Sequence, residues 1–90
     1  MRLCHYPRTL KIIKKRLLAK YPDALPEEGA TDDVHHTLWM IEELPALRDQ
    51  GKIDRWVGWI GAKAHSLGLL DVGKKKLSEA RKLIESDLKP

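Results

Sequence analysis

Ninety residues with a formal net charge of +4 make one small domain, and a chain of this size buries only about 60–65% of its unfolded surface, so every element must lend an apolar face to a modest core. With 42% hydrophobic and 33% charged residues the chain is too apolar for disorder and too charged for a bilayer protein. No run approaches the roughly 18–20 apolar residues of a membrane span, and Met1-Arg2-Leu3-Cys4-His5 lacks the apolar stretch of a signal peptide, so the expectation is a cytoplasmic protein with no membrane partner.

The first predicted element is a basic helix over 9–20. Leu10, Ile13, Leu17 and Leu18 line one side, while Lys11, Lys14, Lys15 and Arg16 fill the rest. Tyr21-Pro22-Asp23-Ala24-Leu25-Pro26-Glu27-Glu28-Gly29-Ala30 then breaks any helix, because proline lacks an N–H and glycine holds no preferred fold. The linker is placed at 21–31, and a helical core at about 32–88.

Thr31, followed by Asp32 and Asp33, is a helix start: a hydroxyl caps free N–H groups, and carboxylates favour the positive end of the helix dipole. The helix beginning there runs toward Gln50 with Val34, Leu38, Ile41 and Leu44 as its apolar stripe. Pro45 opposes continuation, which predicts a kink or break near Glu42 to Pro45, a resumed helix over Ala46 to Asp49, and an end at Gly51.

Lys52 to Leu67 carries the strongest helical signal, with Ile53, Trp56, Val57, Ile60, Ala64 and Leu67 spaced by three or four. Gly58 and Gly61 inside it cost roughly 1 kcal/mol each relative to alanine, so the close approach of another backbone or a large ring is expected to offset them. Gly68 closes the helix. Leu69-Leu70-Asp71 forms the turn, and a last helix opens at Val72 or Gly73 with Leu77, Ala80, Ile84 and Leu88 as its stripe. The short connections make the last three helices sequential neighbours. The fold class is therefore all-α, a single domain of about four helices.

Charge is segregated along the chain. Residues 1–20 hold seven Lys or Arg and no acids, residues 21–50 eight acids against Arg48 alone, and residues 51–90 nine basic residues against five acids. The plain expectation is that the acidic middle neutralises the basic first helix within the monomer. The other reading is a nucleic-acid contact through Lys11, Lys14, Lys15, Lys74, Lys75 and Lys76, which requires the first and last helices to lie side by side.

Chemistry is hard to place. Asp32 and His36 stand at i, i+4 and could share a metal, but Glu43 lies nearly two turns on and His65 is on another helix, so no third ligand is at hand and no metal is expected. Glu42-Glu43 resembles the acid pairs of magnesium-dependent pyrophosphatases, yet Asp54 is the only acid in the third helix. Cys4, Ser66, Ser78 and Ser86 stand without an orienting base and third group, and a lone cysteine forms no intrachain disulfide. No phosphate-binding glycine loop occurs, so the expectation is a non-enzymatic protein with no cofactor.

The tryptophans are more telling. Trp56 lies on the apolar stripe and Trp39 beside Leu38, which places both in the core. Trp59 shares its face with Arg55 and Lys63, so either the buried stripe is wide or an indole is exposed, as in a protein-contact hot spot or a base-stacking platform.

Val34 to Arg81 resembles a family of small phage and prophage proteins of unassigned function. The residues that carry the likeness are His36-x-x-Trp39-Met40 with acids after it, Lys52-x-x-Arg55-Trp56-Val57-Gly58-x-Ile60, and a Gly68-Leu69 turn before a helix with Glu79-x-Arg81. Pro45 and the basic first helix depart from it. The resemblance implies no reaction and no cofactor. It implies a phage or prophage origin, where small helical proteins act by binding partners. Together these readings give a protein-binding module with Trp59, Arg55, His36 and Lys63 as its contact residues, and a symmetric dimer as the default form of any self-association.

Overall fold

The computed structural model describes residues 3–29, 33–70 and 79–89. Four α-helices occur among them: α1 over Pro7–Lys20, α2 over Asp33–Glu43, α3 over Gln50–Ser66 and α4 over Glu79–Leu88, with a short 3-10 turn at Leu44–Ala46. No strand is found among the described residues. The fold class is all-α, as the periodicity predicts. Thr31, Asp32 and the expected opening of the last helix at Val72 or Gly73, with Leu77 and Lys74 to Lys76, lie outside the described residues.

α1 begins two residues earlier than the apolar pattern indicates because Pro7 occupies the first turn, where a missing N–H costs nothing. It buries Thr9, Leu10, Ile13 and Leu17. Leu18 is only half-buried. The chain then turns away through 21–29, where Ala24 reaches the core and the Leu25 N–H stands 2.9 Å from His35 Nδ1.

α2 buries Val34, Thr37, Leu38, Met40 and Ile41. Pro45 ends it more completely than the expected kink: Leu44–Ala46 tightens into a 3-10 turn and Leu47 is extended. The helix does not resume over Ala46 to Asp49. Instead Asp49 leaves the helical region and its carboxylate accepts the Lys52 N–H at 3.2 Å, so it caps the start of α3. Gly51, expected as a stop, lies in the first turn of α3.

α3 buries Ile53, Val57, Ile60 and Ala64 at spacings of four, three and four. Its end is a Schellman motif. Gly68 adopts φ +76°, the Leu69 N–H reaches back to the Ala64 carbonyl at 2.7 Å, and the Gly68 N–H reaches that of His65 at 3.0 Å. This geometry turns Leu69 and Leu70 into the core.

Residue pairings fix the topology. His5 with Leu47 and Lys14 with Glu42 run α2 antiparallel to α1, and Trp39 with Trp56 and His36 with Trp59 run α3 antiparallel to α2. α4 packs chiefly on α1 rather than on the helix before it, antiparallel, with Asp87 at the start of α1 and Glu79 beside Arg16. Of its expected stripe Ala80 is buried and Ile84 half-buried, while Leu88 is exposed because it lies at the last residue of the helix. The result is flat, with extents of 35 × 32 × 17 Å.

The offset expected for the helix glycines is not there. A methyl group placed on Gly58 or Gly61 would meet nothing within 4 Å. No ring or backbone of the described residues outside α3 comes that close to either.

Candidate functional site

The residues with the most distinctive side chains gather along one seam, between α2 and α3. Asp33, His36 and Trp39 recur every three residues along α2, and Lys52, Trp56, Trp59 and Lys63 recur every three or four along α3. At these spacings each set stays on one edge of its helix. Antiparallel packing lays the edges against each other as rungs: Trp39 tilts onto Trp56 with ring centroids 5.7 Å apart, His36 and Trp59 meet at right angles at 5.4 Å, and Lys63 Nζ pairs with Asp33 Oδ2 at 3.1 Å. His36 also stacks on Trp39 at 5.7 Å, which joins the rungs into one row of four rings.

The lysines close both ends of the row. Lys52 Nζ sits over the Trp56 ring at 5.5 Å and Lys63 Nζ over the Trp59 ring at 5.1 Å, within the range where an ammonium is drawn to an aromatic face. All three indoles are half-buried and packed against the core from outside it. For Trp39 and Trp56 this corrects the expectation of core positions. The buried stripes of α2 and α3 are already filled by Leu38, Ile41, Val57 and Ile60, so the rings take the flank. For Trp59 both expectations hold in part, because its indole touches the core and still reaches solvent.

His36 Nδ1 is buried with no hydrogen-bond partner among the described residues, so the imidazole is held by ring contacts. Trp59, His36 and Lys63, expected as contact residues, come together. Arg55 is exposed one turn before Trp59 and makes no ion pair or ring contact among the described residues. Trp39, Trp56, Lys52 and Asp33 complete the seam, although the apolar pattern points the two rings to the core and gives the two charged residues no contact role. Their signal was the recurrence every three or four residues itself.

The basic residues of α1 are divided. Lys14 pairs with Glu42 at 2.5 Å, and Arg16 holds both carboxylate oxygens of Glu79 while Nη1 also reaches the Leu69 carbonyl at 3.0 Å. The neighbouring carboxylate raises the Arg16 pKa further. Among the described residues, ion pairing with the acidic middle therefore reaches only Lys14 of α1, because α4 supplies the acid for Arg16. Lys11 and Lys15 stay exposed with no ion pair among the described residues. α1 and α4 do lie side by side, but their contact is spent on Glu79 and Asp87, and Lys74, Lys75 and Lys76 fall outside the described residues.

Among the described residues no three His, Cys, Asp or Glu side chains gather as metal ligands would. Cys4 donates to the Asp87 carbonyl at 3.5 Å, and His5 Nε2 lies 2.8 Å from the Leu47 carbonyl. Both tie the chain start to its neighbours. No described helix is long and apolar enough to cross a membrane. No family model matches the chain, and neither a curated protein nor a solved structure is detectably similar to it.

Proposed function

We propose that this chain is a non-enzymatic protein-binding module of phage or prophage type, acting in the cytoplasm, and that the ring row of α2 and α3 is its contact surface. The observation that carries the reading is the placement of Trp39, Trp56 and Trp59, three half-exposed indoles in one row with a cation at each end. Indoles are costly to leave in water, and interfaces concentrate their energy in buried Trp, Tyr and Arg side chains.

A base-stacking platform is the less favoured use of the same rings. Stacking needs free ring faces, whereas Lys52 lies over Trp56, Lys63 over Trp59 and His36 over Trp39.

The test is affinity capture from the native host, comparing wild type with Trp59→Ala. A central tryptophan is worth about 2 kcal/mol or more, so the variant should bind the captured partner roughly 30-fold more weakly. Raising salt separates the nucleic-acid reading, since phosphate binding weakens steeply and an apolar contact hardly changes. Capture that is indifferent to Trp59→Ala removes the seam from consideration.

A further inference from the structure

Two features at opposite ends of the α1 and α2 pair are unlike in charge and alike in being apolar. The first is Leu25, 68% exposed in the turn over residues 21–29. The turn is fixed around it: the Ala24 N–H donates to the Tyr21 carbonyl at 3.0 Å, the Glu27 N–H donates to the His35 carbonyl at 3.3 Å, and Ala24 itself is buried. Leu25 is therefore an apolar knob held in place. Asp23, Glu27 and Glu28 flank it, all exposed and with no ion pair among the described residues. Lys20, just before the turn, balances one of the three charges.

The second feature is a groove of about 400 Å³ between α1 and α2. The buried Leu10 and Ile41 form its floor, and the exposed Pro7 and Pro45 stand at its walls, so it opens to solvent. Of its charged residues Lys14 and Glu42 pair with each other, which leaves Lys11 without an ion pair among the described residues. Lys15, exposed one turn further along α1, adds a second such cation.

We propose that Leu25 of one copy of this chain seats in the α1 and α2 groove of a second copy, with Asp23, Glu27 and Glu28 set against Lys11 and Lys15. Charge selects this occupant. The turn carries an excess of negative charge and the groove an excess of positive charge, so the unlike faces of two copies attract. Length excludes the same contact within one chain: the groove lies along the first half of α1 and the turn follows Lys20, at the other end of a 14-residue helix about 20 Å long. A contact between unlike patches repeats from copy to copy unless it closes a ring. It uses none of the residues of the ring row and is independent of the docking reading above.

The experiment is sedimentation of the full chain from micromolar to millimolar concentration, at low and at high salt. Wild type is compared with Leu25→Asp, which spoils the knob, with Lys11→Glu/Lys15→Glu, which reverses the groove, and with an equal mixture of the two variants. All three positions are exposed, and unchanged circular dichroism shows that each variant is folded. Leu25→Ser and Lys11→Gln/Lys15→Gln take their place where it is not.

Wild type should gain mass with concentration, and less so at high salt. Each variant alone should associate about tenfold more weakly, because one loses the leucine from the groove and the other turns attraction into repulsion. The mixture should form a heterodimer, since the intact knob of one variant meets the intact groove of the other. Wild type that stays monomeric throughout, association that either change leaves intact, or a mixture no heavier than its components overturns the contact.

Discussion

The Asp87 carboxylate of α4 caps the start of α1: Oδ1 accepts the Arg8 N–H at 2.9 Å, and Oδ2 accepts the Thr9 N–H at 2.8 Å and the Thr9 hydroxyl at 2.5 Å. The N-cap residue Tyr6 makes no side-chain cap of its own, and α1 has no acid in its first turn. A residue 78 positions away supplies what the local sequence lacks, so the ends of the chain close on each other. Asp87→Ala leaves two N–H donors and a buried hydroxyl without this partner and should cost about 2 kcal/mol, read by urea denaturation. Wild-type stability in that variant would mean that solvent caps the helix equally well.

Tyr6 gives the fold an alkaline limit. It adopts φ 52°, a left-handed conformation unfavourable for a side-chain residue, and is held there by burial and by its hydroxyl donating to Asp54 at 2.8 Å. Burial first, then the bond and charge of Asp54, push its pKa from 10.0 up to about 12. A folded-state value above the unfolded one means that its contribution is complete below about pH 10 and is lost as pH rises to about 12. The stability difference between wild type and Tyr6→Phe should therefore shrink across that window. A difference constant through it would show that the phenol ionises alike in both states.

Gly58 and Gly61 should be improvable. With open space at both, Gly58→Ala and Gly61→Ala each remove backbone freedom from the unfolded chain without a clash, for a gain of about 0.5–1 kcal/mol apiece. Thermal unfolding reads the gain directly. A loss at either position would mean that the outer side of α3 is crowded in solution.

Thr37 is fully buried and its hydroxyl has no hydrogen-bond partner among the described residues. Thr37→Val keeps the shape and removes the polar group, so it should be neutral or stabilising by about 1 kcal/mol. A destabilisation beyond about 1 kcal/mol in denaturant titration would reveal a bond made by that hydroxyl.

The cores of three helices were legible because burial tracks a 3.6-residue period. Leu10, Ile13 and Leu17, then Val34, Leu38 and Ile41, then Ile53, Val57 and Ile60 recur at that spacing and are all buried. Pro45 and Gly68 marked helix ends for equally local reasons. The course of the chain beyond a break was less legible. Asp49 is an ordinary surface acid until the chain leaves the helix at Leu47 and gives its carboxylate N–H groups to cap.

By itself the sequence determined where the rods lie and which side of each avoids water, since both depend on residues three or four apart. Only the tertiary structure decided which edges meet. Trp39 faces Trp56, His36 faces Trp59 and Asp87 reaches Thr9 because helices pack antiparallel in a chosen order, and that choice is made by the summed fit of buried side chains across the whole core. No local pattern encodes it, which is why the flanking rings, unlike the stripes beneath them, came into register only in the folded chain.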